Sequence, residues 1–170
     1  KKHKIKLASI EDLISYRLKY EKLIKKIYSK TISTKKIGKL NVFTYKNILE
    51  NSLNFAISRG EFNQKKSIPV RVLSGKIKNG NIMNNTSTKK TLKILSKFKN
   101  FLLLIINNKN NTSKDNSINT LRYYGIGAQI IKDVNIKNMI LVSRSKKKII
   151  GLDGFGLKIK KQIIIKWKKY

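Results

Sequence analysis

The sequence predicts an α+β fold, in which one mixed sheet joins an N-terminal antiparallel meander to a C-terminal α/β layer. Three short β-rich segments, 39–45, 54–60 and 68–75, follow one another, and the last two end at glycine. This succession is typical of strands joined by short turns. After residue 100, strand-like and helix-like segments alternate along the chain, which favours an α/β layer.

The N-terminal segment predicts one helix and leaves its continuation open. Ser9 stands three residues before Asp12, a spacing like that of a capping box, and apolar residues then recur at helical spacing as far as Leu18. We therefore predict a helix over 10–19. The segment 21–33 is compatible with a longer helix or with a strand, because its periodicity does not distinguish the two.

The remaining elements are predicted from apolar runs and from polar interruptions between them. The run "FLLLII" is typical of a buried strand, and the Asn- and Lys-rich stretch after it is typical of a flexible loop. In chain order we predict a polar loop at 79–90, a helix at 91–101, a strand at 101–107, a flexible loop at 107–119, a helix at 128–134, and strands at 139–143 and 156–165.

The composition gives a formal net charge of +32, from 40 Lys or Arg against 8 Asp or Glu. Such an excess suggests nucleic acid or an anionic surface as a partner. However, only five of the basic residues are arginine, and Lys is abundant together with Asn and Ile, which share A/T-rich codons. An A/T-rich genome therefore accounts for the composition. Since nucleic-acid sites favour arginine, we keep nucleic-acid binding only as an alternative.

Several kinds of chemistry are excluded by the residues that the chain lacks. There is no cysteine, so disulfides and thiolate metal sites are impossible. The single histidine, His3, makes a histidine-based zinc site or a catalytic triad improbable. The apolar run 101–106 is far shorter than the roughly 18 residues of a membrane-spanning helix, so we expect no membrane association.

Gly125 and Gly127 lie just before the predicted helix 128–134, in the stretch "TLRYYGIGAQIIKDV". Glycines at this place can present backbone N–H groups to a phosphate at a helix N-terminus. The alternative is a tight turn that lets Tyr124 pack and the helix start. We favour the turn. Further on, we interpret 154–156 as a turn into the last strand, with Phe155 in the core.

Two longer motifs give the chain a specific resemblance. One is "LRYYGIGAQI", and the other is "GLDGFGL" after the paired lysines Lys147 and Lys148. Together these stretches resemble GTP cyclohydrolase II, the enzyme that opens GTP in riboflavin synthesis. The segment "IPVRVLSG" resembles the Arg-Val-His-Ser-Glu strand of that family. The N-terminal segment 3–24 resembles the junction that follows dihydroxybutanone phosphate synthase in bifunctional riboflavin proteins.

The resemblance fails at the positions that carry the family's chemistry. The family binds zinc through three cysteines soon after the Arg-Val-His-Ser-Glu strand, whereas this chain has "KIKNGNIMNNTS" there. Leu73 and Gly75 replace the His and Glu of that strand, and Thr120 stands in place of the catalytic Asp. The family's Gln-Glu-Gly-Arg-Gly segment has no counterpart. We therefore expect no zinc or other cofactor and no catalytic residue, with Arg122 as a vestige.

Four residues remain as candidates for binding substrate or phosphate, each because of the family position that it matches. These residues are Arg71, Arg122, Ser143 and Lys148. Each also has a structural interpretation. Arg71 could lie on the solvent side of its strand, Arg122 could pair with a neighbouring group, and the lysines at 146–148 could form a solvated turn.

The resemblance implies a division of the chain into a tail or linker helix, 1–22, and a degenerate cyclohydrolase II-like domain, 23–170. Because the chain begins with Lys1 rather than Met, we expect it to be a piece of a longer polypeptide, with a dihydroxybutanone phosphate synthase domain upstream or as a partner. We further expect a cytoplasmic homodimer. The alternatives are a residual nucleotide-binding or GTP-hydrolysing enzyme that uses Arg122 and Lys148, and a basic nucleic-acid-binding domain.

Overall fold

The computed structural model describes residues 12, 16, 20–75, 82–107, 116–147, 149 and 152–166, with the backbone alone for 116–122 and 153. Its centre is a seven-stranded sheet in the order β1-β2-β3-β5-β4-β6-β7. The strands are β1 (Ile24–Thr34), β2 (Gly38–Asn47), β3 (Ser52–Arg59), β4 (Ser67–Gly75), β5 (Phe101–Asn107), β6 (Asn138–Ser143) and β7 (Lys158–Ile164). The helices are α1 (Thr86–Leu95) and α2 (Asn116–Asp133), with short 3₁₀ turns at Ile82–Asn84 and Asp153–Phe155.

The predicted α+β class with a mixed sheet is confirmed. Strands β1, β2, β3 and β5 pair antiparallel, whereas β5, β4, β6 and β7 pair parallel. The prediction was wrong about which strands form the meander, because the segment 21–33 supplies its first strand. Strand β5 lies between β3 and β4, so β4 joins the parallel half. A parallel connection from β4 to β5 requires a crossover, and α1 provides it.

The sheet has a hydrophobic core on each face, and one helix packs against each core. On one face, Ile126 and Ile130 of α2 pack with Tyr45, Val70 and Leu104. On the opposite face, Leu92 and Leu95 of α1 pack with Ile57, Leu103 and Val142. Alternate residues of the central strands therefore enter different cores, which explains why β5 is a continuous apolar run. We refer to these as the α2 face and the α1 face.

Helix α1 begins earlier and ends earlier than the predicted helix 91–101. Asn85 is its N-cap, and the Asn85 side chain accepts hydrogen bonds from the backbone N–H groups of Ser87 and Thr88. The predicted polar loop 79–90 is thus a 3₁₀ turn followed by a helix start, except for 79–81, which lie outside the described residues. Polar residues favour caps and first turns as much as loops, and this misled the prediction.

Helix α2 shows a larger difference, because it begins at Asn116 rather than at residue 128. Of the predicted loop 107–119, residues 108–115 lie outside the described residues, and 116–119 are helical. Gly125 and Gly127 therefore lie inside the helix, so both interpretations of them, as a phosphate turn and as a tight turn, were wrong. A Cβ on Gly127 would lie 3.3 Å from Ile106 Cδ1, which shows that this glycine permits close approach of α2 to β5.

The ends of the domain agree with the remaining predictions. Asp12 and Tyr16, the described residues of the predicted helix 10–19, are helical, as is Tyr20 directly after it, and the two tyrosine rings lie 4.5 Å apart. Strand β7 matches the predicted strand 156–165, and Phe155 packs against the core of the α2 face, as predicted. No helix within the described ranges is long and apolar enough to cross a membrane.

Candidate functional site

Arg71 is the best-defined of the predicted site residues, and it is buried within the sheet. Its side chain is 7% exposed, so the interpretation as a solvent-facing residue was wrong. Its Nη1 donates a hydrogen bond to the backbone oxygen of Val142 in β6, at 3.0 Å, whereas its Nε has no partner. Burial, followed by the charge of Arg144, lowers the pKa of Arg71 below its usual value. The bond from Nη1 therefore joins strand β4 to strand β6.

Ser143 ends strand β6 beside Val142, and its hydroxyl is also used internally. Its Oγ donates to the backbone oxygen of Ser145 at 2.6 Å, and the residue is 5% exposed. Alternation along β6 places Ser143 on the α2 face, whereas Val142 belongs to the α1 face. Ser143 and Arg71 thus lie on neighbouring strands, with their side chains on opposite faces of the sheet.

The other two predicted site residues are less fully described. Arg122 lies in the first half of α2, where the structure describes the backbone alone, and Lys148 lies outside the described residues. The preceding lysines of the turn, Lys146 and Lys147, are exposed. Lys147 is fixed by its backbone, which exchanges two hydrogen bonds with the side chain of Gln162 on β7. This exposure agrees with a solvated turn at the lysines.

The residues after β4 do not fit the zinc ion that the resembled family holds there. Between Gly75 and Leu92 the sequence has no Cys, His, Asp or Glu, and its polar groups are amides, hydroxyls and ammonium groups. Zinc sites in proteins are built from thiolates, imidazoles and carboxylates. Across the described ranges, no group of three such side chains lies close enough to hold a metal ion.

A buried polar cluster on β2 and β3 was missed by sequence reasoning. Asn47, Ser52 and Asn54 are each 1% exposed. Asn47 pairs directly with Ser52, and Asn54 lies two residues further along β3, on the same α2 face. Asn47 Nδ2, Ser52 Oγ and Asn54 Nδ2 have no hydrogen-bond partner. We call these three residues the donor cluster.

A second missed arrangement joins the end of α2 to the meander. The Tyr45 hydroxyl donates to Asp133 Oδ2 at 2.7 Å, and Lys26 Nζ lies 2.6 Å from the same oxygen. Burial first, and then the bond and charge of Asp133, raise the pKa of Tyr45. Burial acts to raise the pKa of Asp133, but the bonds from Lys26 and Tyr45 and the charges of Lys26 and Lys22 outweigh it, so this pKa is lowered.

These three residues line an open cleft of about 630 Å³ between the start of β1 and the end of α2. Gln129 closes one side, since its Oε1 accepts from the backbone N–H of Leu23 and its Nε2 donates to the backbone oxygen of Glu21. These bonds fix the entry of the chain into β1. No sequence pattern predicted this arrangement, because its members are scattered from residue 21 to residue 133.

Residues 82–164 match the model of the family GTP cyclohydrolase II. The resemblance inferred from the motifs is therefore confirmed. The matched range contains α1, β5, α2, β6 and β7, which form the parallel half of the molecule without β4. The fold and the motifs thus define a GTP cyclohydrolase II-like unit.

Individual relatives extend the similarity to nearly the whole chain. The riboflavin biosynthesis protein RibBA of Aquifex aeolicus is 28% identical, over 98% of this chain and 48% of its own length. A 3,4-dihydroxy-2-butanone 4-phosphate synthase of Photobacterium phosphoreum is 30% identical, over 94% of this chain and 48% of its own length. The chain therefore spans about half the length of these relatives.

A solved structure shares the fold. RibBX of A. baumannii, a two-domain 3,4-dihydroxy-2-butanone 4-phosphate synthase, superposes with a TM-score of 0.64 at 22% identity. The match covers 98% of this chain and 47% of the RibBX chain. At this level of identity the likeness shows the fold.

Proposed function

We propose that this chain is the GTP cyclohydrolase II-like domain of a 3,4-dihydroxy-2-butanone 4-phosphate synthase protein of riboflavin biosynthesis, and that it has no cyclohydrolase activity. The observation that carries the proposal is a family match over 82–164 in a chain without a single cysteine. The family's zinc supplies an activated water, and the amides and lysines found here cannot replace its thiolate ligands.

The internal bonds of the candidate residues support the loss of activity. Arg71 donates to a backbone oxygen of β6, and Ser143 donates to Ser145, so these two groups now stabilise the ends of strands. Thr120 stands where the family has its catalytic Asp, and a hydroxyl is a far weaker base than a carboxylate. Loss of one general acid or base alone costs roughly two to four powers of ten in rate.

In this proposal the domain acts on a synthase domain, in the same polypeptide or as a partner, by stabilising or regulating it. The names of the relatives support this context, because one is a 3,4-dihydroxy-2-butanone 4-phosphate synthase and the chain matches about half of its length. The RibBX structure supports it as well, since a two-domain synthase contains this fold. We further propose that the assembly is a cytoplasmic homodimer.

The test is incubation of the chain with GTP, Mg²⁺ and Zn²⁺, followed by measurement of the diaminopyrimidine product and of formate. A cyclohydrolase II that carries its three cysteines serves as the positive control. The proposal expects no product above the enzyme-free background. Product that accumulates in proportion to the amount of chain would contradict it, provided that Arg122→Ala removes this activity, since contaminating enzyme would be unaffected by the substitution.

A further inference from the structure

We propose that the donor cluster of Asn47, Ser52 and Asn54 is a binding site for an oxyanion of the phosphate or phosphate-ester class. The cluster lies outside the candidate residues that the family resemblance singles out. The proposal is independent of cyclohydrolase activity, because it concerns binding alone.

The orientation of both amide groups is fixed by the backbone. Asn47 Oδ1 accepts a hydrogen bond from the N–H of Leu49, and Asn54 Oδ1 accepts one from the N–H of Asn107, each at 3.0 Å. An amide flip would place an NH₂ group against a backbone donor, so the assignment of oxygen and nitrogen is unambiguous. The NH₂ groups of both side chains are therefore the ends that lack a hydrogen-bond partner, and we call such atoms orphaned.

The chemistry of the orphaned atoms selects the ligand. Two NH₂ groups and one hydroxyl offer up to five hydrogens and, apart from the Ser52 oxygen, no acceptor. Such a set repels a metal cation and fits a group made of acceptor oxygens. A charged oxyanion forms stronger hydrogen bonds than a neutral carbonyl, and the net charge of +32 favours an anion over other ligands.

The position in the fold agrees with a ligand site. Strand β2 is antiparallel to β3, which is antiparallel to β5, so β2 and β5 point in the same direction. Asn47 at the end of β2 and Asn107 at the end of β5 therefore share the edge at which the parallel strands also end. In open α/β sheets, ligands bind at this carboxyl edge. The three orphaned atoms are closed off from solvent here, so entry of the ligand requires local opening of this edge.

Titration calorimetry of the full chain with inorganic phosphate, in 0.2 M KCl, tests the proposal. Ser52→Ala removes one orphaned group without adding bulk, and we expect it to weaken phosphate binding about tenfold. Asn54→Asp keeps the oxygen that accepts from Asn107 but replaces the NH₂ donor by a charged acceptor, and we expect it to abolish binding. Ser58→Ala is the matched control, because Ser58 is a serine on the same face of β3 and is 2% exposed, but lies six residues along the strand from Ser52 and outside the donor cluster.

Saturable binding of one phosphate per chain that is weakened by Ser52→Ala, and retained within about twofold by Ser58→Ala, would support the proposal. Two results would overturn it. Absence of saturable binding would mean that the cluster holds ordered water only. Equal binding by the parent chain and all three variants would mean that surface lysines hold the anion. If Asn54→Asp fails to fold, the comparison of Ser52→Ala with Ser58→Ala decides.

Discussion

The two halves of the sheet differ in how their polar groups are used. The parallel half carries most of the motifs that match GTP cyclohydrolase II, and its described candidates, Arg71 and Ser143, donate to backbone oxygens of the same half. Its unpaired buried atoms, Arg71 Nε and Thr91 Oγ1, lie on separate elements, β4 and α1. The antiparallel half carries no recognised motif of the cyclohydrolase family, yet it contains the buried donor cluster, whose NH₂ and hydroxyl groups lack partners. A match to a family motif can therefore reflect the needs of packing, whereas several unpaired buried donors side by side indicate a need that packing does not meet.

Gly127→Val gives the largest effect that we expect, and it tests whether the best-matched motif serves packing. A Cβ at this position already lies 3.3 Å from Ile106 Cδ1, and the two further methyl groups of valine would push α2 away from β5. Overpacking of this kind costs about 1–3 kcal/mol, which exceeds the few tenths of a kcal/mol, roughly, by which valine is a better helix former than glycine. Urea unfolding measures the loss.

Gly75→Val is the control for this substitution, because a Cβ on Gly75 meets nothing within 4 Å. We expect its free energy of unfolding to stay within about 0.5 kcal/mol of the parent value. Equal stability of both variants would contradict the packing role of Gly127 and reopen a role in ligand binding.

Asp133→Ala should have the next largest effect, because it leaves the buried Tyr45 hydroxyl of the antiparallel half without a hydrogen-bond partner. Tyr45 is fully buried, and its hydroxyl donates to Asp133 at 2.7 Å. Loss of this partner should lower the free energy of unfolding by about 1–2 kcal/mol at pH 7. Tyr45→Phe removes the hydroxyl donor and, with it, the cost of burying that donor without a partner. The double variant of Tyr45→Phe and Asp133→Ala should therefore be more stable than Asp133→Ala alone, as thermal unfolding would show.

The same site predicts a pH dependence with a definite sign. The pKa of Asp133 is lowered from its ordinary value of 3.8 in the folded chain, so the ionised form stabilises the fold. This stabilisation is complete above the ordinary pKa and is lost as the pH falls through the lowered value. The stability difference between the parent chain and Asp133→Asn should therefore be largest at pH 7 and should shrink as the pH falls below 3.8. A constant difference over that range would contradict the assignment.

Arg71→Met should have a smaller effect, in spite of the burial of Arg71. The substitution removes a buried guanidinium and one hydrogen bond to Val142, and it adds an apolar side chain of similar length. Replacement of a buried charge by an apolar group of similar volume is often neutral or stabilising. We expect a change within about 1 kcal/mol in urea unfolding. A loss above about 3 kcal/mol would contradict this expectation and show that the buried guanidinium itself stabilises the fold.

Sequence specificity in nucleic-acid binding should be the smallest effect of all. A chain with a net charge of +32 will attract RNA through its phosphates, and this attraction should weaken steeply between 50 and 200 mM salt. Two unrelated RNA sequences of equal length should bind within about twofold of each other in a filter-binding titration. A strong preference for one sequence that persists at 200 mM salt would favour the nucleic-acid alternative.

The sequence predicted where the strands lie better than it predicted which strands pair with each other in the sheet. Apolar runs and β-branched residues located β3, β5 and β6 to within a few residues, because these strands are largely buried. Strand β1 stayed undecided, since most of its residues are exposed and give no alternation. The start of α2 was hidden by polar, Asn-rich residues. No local pattern could show that β5 lies between β3 and β4, because pairing across the sheet depends on residues distant in sequence.

Site residues could be predicted from the sequence only where a residue differed in chemical character from its sequence neighbours. Arg71 stood out as a charge inside an apolar strand. The donor cluster did not, because Asn and Ser are abundant in this chain and their orphaned atoms result from hydrogen bonds that only the fold reveals. Likewise, Tyr45 and Asp133 are 88 residues apart, and no spacing rule connects them.

We propose that this cyclohydrolase II-like domain has lost its metal site together with its cysteines. The most direct measurement is the zinc content of the purified chain after equilibration with Zn²⁺ and removal of loosely bound metal on a desalting column. We predict far less than one zinc per chain, because the residues between Gly75 and Leu92, where the family holds its zinc, provide neither thiolate nor imidazole nor carboxylate. One zinc per chain, retained through the column and accompanied by opening of GTP, would contradict the account.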